Sequence, residues 1–193
     1  MLSAGFLKGL GMRSIRTGKH YNSGTGNSVF GFNVKALTRM ASTSPSPFRI
    51  RTATSADMDK LCELAAELLV QIRAEGTPKD ARRVFERIMK SSDLGIVLVA
   101  EHKTGLCGYA YASYPWRSEF GGEIMDIIAV FTADKWRGKG VGRSLVSALL
   151  DIARQRGIRR VCCEVHPGNA AVERTLEATG FDPERRTLWG IRI

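Results

Sequence analysis

The segment Arg137-Gly138-Lys139-Gly140-Val141-Gly142 constrains this chain more than any other, because it joins a buried apolar run to the strongest helical pattern present. From Gly140 to Arg156, Val141, Leu145, Leu149 and Ile152 form one apolar row. Val146, Leu150 and Ala153 form the row beside it, the stripe of a helix laid on a sheet. The three glycines permit tight backbone paths and close approach of a ligand. The free N–H groups of the helix start and its positive dipole end make a cradle for an anion. Arg137, Lys139 and Arg143 add mobile positive charge around it, so the ligand implied is a diphosphate; a purely structural tight turn is the alternative. Two nucleotide loops are excluded by spacing: there is no Gly-x-x-x-x-Gly-Lys-Ser/Thr, and Gly138-x-Gly140-x-Gly142 is not Gly-x-Gly-x-x-Gly.

The surrounding pattern predicts a mixed α/β (α+β) sheet in the order β-α-α-β-β-β-α-β-α-β, not an alternating nucleotide-binding unit. Residues 48–53 alternate as a half-buried strand. Ser55 is placed to cap a helix running to about Ile72, and a second helix covers about Lys79–Met89. Strands follow at Gly95–Ala100, from Leu106 to Tyr111, and at Ile124–Phe131, with a loop around Pro115–Gly122. After the long helix come a strand at Arg160–Val165 and a helix capped by Asn169 and stopped by Gly180. A last strand is expected in Arg186–Ile193.

The formal net charge of +10 suggests nucleic-acid binding until it is divided along the chain. Residues 1–45 hold six of the 29 bases (Lys8, Arg13, Arg16, Lys19, Lys35, Arg39) and none of the 19 acids, so 23 bases face 19 acids in the body, a net of +4. With no stripe of interleaved bases and aromatics, no nucleic-acid partner is expected. Residues 1–46 read as a flexible basic leader and 47–193 as one domain. The leader is either an organelle-targeting presequence, which would place the protein in the mitochondrial matrix, or a segment ahead of a start at Met40, which would place it in the cytoplasm. No stretch approaches 18 apolar residues, so no membrane-spanning helix is expected. Cys62, Cys107, Cys162 and Cys163 contain no C-x-x-C, and His20, His102 and His166 are scattered, so neither a metal site nor a disulfide framework is expected. Free thiols in a reducing, intracellular compartment are the simplest account.

Arg137-x-x-Gly140-x-Gly142 matches the Arg/Gln-x-x-Gly-x-Gly/Ala pyrophosphate signature of the GNAT family of N-acetyltransferases, and the chain resembles that family from Phe48 to Ile193. Asn169 opening the last helix and Gly180-Phe181 closing it agree with the resemblance. It implies acetyl-CoA as co-substrate, with no metal. Backbone amides from Arg137, Gly138, Lys139, Gly140, Val141 and Gly142 would hold the diphosphate. The backbone of Val130, Phe131 and Thr132 would pair with the pantetheine arm, and Asn169 would touch it.

Asp126 interrupts an apolar stretch, where an unpaired carboxylate is costly to bury, so it must be paired, solvated or in use. One use is acid–base chemistry: deprotonating an amine of pKa about 10.4 at pH 7 costs about 4.6 kcal/mol, and a carboxylate can take that proton as the amine attacks. The family resemblance also implies a base eleven residues before Arg137. Glu123 is the second candidate, and a salt-bridged strand-end carboxylate is the structural alternative for Asp126. The Tyr that many members carry seven residues after the helix Asn is Leu176 here, leaving Tyr109, Tyr111, Tyr114 or solvent to protonate the leaving thiolate. The residues after Phe181 suffice for one strand where the family usually has a long hairpin, so the acceptor pocket is expected to be open or completed by a second copy in a homodimer.

Cys162 or Cys163 with His166 could serve as a thiol nucleophile, but on a central strand such cysteines are more simply core. Trp116, Trp136 and Trp189 could line an acceptor site, although Trp136 beside the glycine turn reads more simply as packing. Tyr109 and Tyr111 share a strand face as core or acceptor wall. The leading reading is direct acetyl transfer to a primary amine, on a small molecule or a protein; a non-catalytic acyl-CoA sensor of the same fold is the alternative. Loops at Ile72–Pro78 and Tyr114–Gly122 would decide the acceptor.

Overall fold

In the computed structural model, which describes residues 47–184 and 189–191, the glycine turn leads from an inner strand of a sheet into the longest of the described helices. The elements are β1 (Arg49–Thr52), α1 (Met58–Gln71), α2 (Pro78–Lys90), β2 (Gly95–His102), β3 (Gly105–Ser113), β4 (Trp116–Arg117), β5 (Gly122–Glu123), β6 (Met125–Thr132), α3 (Val141–Gln155), β7 (Val161–Cys163) and α4 (Ala170–Glu177). The main sheet has the order β1-β2-β3-β6-β7, antiparallel except for the parallel β6–β7 pair. A parallel neighbour requires a crossover, and α3 supplies it.

Each face of the sheet carries its own core. On one side Leu145, Leu149 and Ile152 of α3 pack on Ala110, Ala112, Met125 and Ile127. On the other, Leu61, Leu64 and Phe85 of α1 and α2 pack on Val97, Val99, Tyr109 and Phe131. The two-sided burial explains why β2 is a continuous apolar run, with Val97 to Ala100 all buried. Gly108 on β3 is required by close packing: a Cβ there would stand 2.5 Å from the Phe131 carbonyl oxygen and 3.1 Å from Val141 Cγ1. Gly108→Ala is therefore expected to destabilise the fold by about 3 kcal/mol, lowering Tm by roughly 6–12 °C. An unchanged melting curve would refute this packing.

Three expectations need correction, and a fourth lies largely outside the described residues. Thr54, not Ser55, opens the first helical segment: its N–H and hydroxyl both donate to the Asp57 carboxylate, which also receives both terminal nitrogens of Arg51. That guanidinium and the Thr54 bonds hold the Asp57 carboxyl down at about 2, against the desolvation that opposes them. The segment read as a loop at Pro115–Gly122 contains the β4–β5 hairpin, closed by Gly121 at φ 74. The strand expected at Arg160–Val165 pairs only over Val161–Cys163, because β7 leaves β6 there. The last strand falls largely on 185–188 and 192–193, outside the described residues; Trp189, Gly190 and Ile191 are in no strand. The leader also lies outside the described residues. Among the described residues no helix is long and apolar enough to cross a membrane.

Candidate active site

The site begins where two strands part. β6 and β7 pair at Met125, Asp126 and Ile127 opposite Val161, Cys162 and Cys163, and no further. Ile128 lies at a bulge in the β3–β6 register, between Ile127 opposite Ala112 and Ala129 opposite Tyr111, and is 48% exposed. Beyond it, β6 continues to Thr132 with no strand on its outer side among the described residues.

The Ala133 N–H donates to the Cys107 carbonyl at 3.0 Å, which sets the alternation along this ladder. Phe131 and Ala129 turn their main-chain groups toward β3, while Val130 and Thr132 turn theirs into the gap. Of the three backbone positions expected to pair with a pantetheine arm, Val130 and the Thr132 N–H thus face the gap, the Thr132 carbonyl accepts from Arg137, and Phe131 is occupied within the sheet. The Phe131 carbonyl lies against Gly108, as the close approach there requires. The Phe131 ring is buried beside Tyr109.

Across the gap stands the start of α3. Gly138 and Gly140 both adopt left-handed backbone, at φ 72 and 83, a conformation that side chains with a Cβ resist. Gly140 is the N-cap and offers no side chain, and the first turn carries no acidic residue, so among the described residues no side chain caps the first-turn amides of Val141, Gly142 and Arg143. Gly142 faces β6: a Cβ on it would meet Thr132 Oγ1 at 3.7 Å and Val130 Cγ1 at 4.0 Å. Lys139 sits over the Trp136 ring at 4.8 Å, and Trp136 packs against His102 at 4.5 Å between ring centroids, which accounts for Trp136 as packing. Arg137 is not free of partners as expected. It bonds Asp134, Gln71 and the Thr132 carbonyl.

Asp126 lies at the fork, half-buried, with no ion pair or hydrogen bond among the described residues. Burial first, then the neighbouring Glu164, raise its carboxyl above the ordinary value, and Arg117 partly offsets them. Glu164 is two residues beyond Cys162, the register partner of Asp126, and so shares its face of the sheet. The sequence reading missed both Glu164 and Arg117; strand-pair parity could have found Glu164, whereas Arg117 depends on a hairpin that was read as a loop. Glu123 is engaged elsewhere: both its oxygens accept from Arg156 Nη2 at 3.3 Å, and Arg156 lies over the Tyr114 ring at 4.1 Å. With Arg160 over Phe120 at 5.0 Å, this contact holds the hairpin beside the fork.

The tyrosines separate by environment. Tyr109 is buried against Phe85, and burial raises its hydroxyl far above the usual range. Burial likewise pushes Tyr114 up to about 12, although Arg156 opposes it. Tyr111 also packs on Phe85 but keeps partial exposure, and burial followed by Asp126 raises it. Leu176 is buried, and Asn169 caps α4 by accepting the Val172 N–H at 3.3 Å. Burial, then Asp126 and Glu164, push the Cys163 thiol up to about 11, the reverse of what a nucleophile needs. Trp116 is 78% exposed on the hairpin and Trp189 is exposed. Among the described residues no group of His, Cys, Asp and Glu could hold a metal ion.

The acetyltransferase (GNAT) family model matches residues 58–181. Phosphinothricin N-acetyltransferase of Streptomyces viridochromogenes is 27% identical over 139 residues, covering 70% of this chain and 74% of that protein. The L-methionine sulfoximine/L-methionine sulfone acetyltransferase of Salmonella typhimurium is 35% identical over 85 residues, 44% of this chain and about half (49%) of that protein. Among solved structures, AAC(6')-Iy in complex with a bisubstrate analogue, CoA-S-monomethyl-acetylneamine, shares the fold with a TM-score of 0.65 at 20% identity, over 76% of this chain and 98% of that one. A family match over well more than half of the chain, on a fold whose parted strands face a glycine-opened helix, establishes that this chain belongs to the acetyltransferase (GNAT) family, as an N-acetyltransferase.

Proposed function

We propose that the chain moves the acetyl group of acetyl-CoA to the primary amine of a small molecule by direct attack within a ternary complex. The observation that carries this reading is the juxtaposition at the fork: Asp126 sits where β6 and β7 part, and the uncapped start of α3 stands across the same gap. The first-turn amides of Val141, Gly142 and Arg143, with the glycine turn, suit a diphosphate. The outward N–H groups of Val130 and Thr132 suit the amide and thioester carbonyls of the pantetheine arm.

In the step proposed, the amine nitrogen attacks the thioester carbonyl carbon and its proton passes to the Asp126 carboxylate, directly or through water. The C–S bond then breaks and CoA leaves as a thiolate, protonated by solvent or by the Tyr111 hydroxyl. A small acceptor is supported by the relatives, which are named for phosphinothricin and for L-methionine sulfoximine and sulfone.

The test is thiol release by the full chain with acetyl-CoA and, separately, L-methionine sulfoximine, phosphinothricin, an aminoglycoside and a lysine peptide. Release with a small-molecule amine and not with the peptide is expected. Turnover of the peptide alone would overturn the acceptor class. Acetylated protein formed without any acceptor would overturn direct attack.

A further inference from the structure

Arg137 joins three elements through one guanidinium. Nη2 donates to Gln71 Oε1 at 2.9 Å and pairs with Asp134 Oδ1 at 2.7 Å, while Nε donates to the Thr132 carbonyl at 3.3 Å. Its partners are thus the last residue of α1, the turn leading into the glycines, and the outward-facing end of β6. The turn that follows Gln71 is tightly bonded. Two residues on, Arg73 has φ 53, left-handed backbone in a non-glycine residue, and the turn is closed by Arg73 N–H to Val70 O at 3.2 Å and Ala74 N–H to Leu69 O at 2.9 Å. A non-glycine residue there is strained, so neighbouring bonds must hold the turn in that shape.

We propose that Arg137 is a positioning residue, a latch that ties the end of α1, and through it the 72–77 connection to α2, to the turn that receives the donor's diphosphate. The inference rests on that turn being the CoA site. Filling the turn then stiffens residues 72–77, and by reciprocity an acceptor that orders 72–77 tightens CoA. The latch is exposed, and one such hydrogen bond contributes little to net stability. Removing it should therefore leave the fold intact.

Hydrogen–deuterium exchange of the full chain with and without CoA tests this on wild type, Gln71→Ala and Gln71→Glu. In wild type, CoA is expected to slow exchange at both 138–143 and 72–77. Gln71→Ala should keep the first effect and lose the second. Gln71→Glu, which replaces the amide acceptor with a carboxylate for the same guanidinium, should keep both. Equal slowing at 72–77 in Gln71→Ala overturns the latch. No slowing at 138–143 in wild type would instead overturn the CoA site, and the latch with it.

Discussion

Gly142→Asp is expected to weaken acetyl-CoA binding by about 100-fold or more while leaving the melting temperature unchanged or slightly raised. The position is already helical, so no left-handed strain accompanies the change, unlike at Gly138 or Gly140. The new Cβ would make ordinary contacts, 3.7 Å from Thr132 Oγ1 and 4.0 Å from Val130 Cγ1. A carboxylate in the first turn favours the helix dipole, and it replaces a poor helix former. The same carboxylate stands in the gap where a diphosphate would bind. Like charges about 4 Å apart at an effective dielectric of about 20 repel by about 4 kcal/mol, and a 100-fold loss needs only about 2.7 kcal/mol. Gly142→Ala is the steric control and should retain most of the affinity. Titration calorimetry with acetyl-CoA decides the matter: a folded Gly142→Asp protein that binds as tightly as wild type removes the diphosphate from this turn.

How much of this was legible in the sequence depends on the range of the forces involved. The helix after the glycines was legible because its two apolar rows repeat at helical spacing, and all of Val141, Leu145, Leu149 and Ile152 are buried. Asp126 stood out as one carboxylate in an apolar strand. The bulge at Ile128 was not legible, since register is set by pairing with β3 and leaves no local mark. Nor could the sequence say which of Val130, Phe131 and Thr132 faces the gap, because that depends on which residue opposes which across the ladder. The role of Arg137 was misread for a similar reason. Its partner Gln71 is 66 residues away, and a basic residue beside three glycines looks free when read alone.

Asp126→Asn is expected to lower kcat by about 100- to 1,000-fold, as loss of a general base does, with little change in acetyl-CoA affinity. Stability should move the other way. The folded protein holds the Asp126 proton more tightly than the unfolded chain does. Stability therefore falls as pH rises from the unfolded carboxyl value through the raised folded one, and the penalty is present at neutral pH. An isosteric amide removes it, so Asp126→Asn should melt higher than wild type at pH 7, and the difference should vanish in acid below the ordinary carboxyl range. The neighbours give the test two signs. Glu164→Gln removes a like charge and should shift the acid limb of kcat against pH to lower pH; Arg117→Gln removes an opposing charge and should shift it higher. A base at Glu123 would behave otherwise. Its carboxylate is held by Arg156, so Glu123→Gln should loosen the hairpin and leave the acid limb where it was. If Glu123→Gln abolishes turnover while Asp126→Asn retains it, the proton goes to the other carboxylate, and the charges flanking Asp126 serve the fold alone.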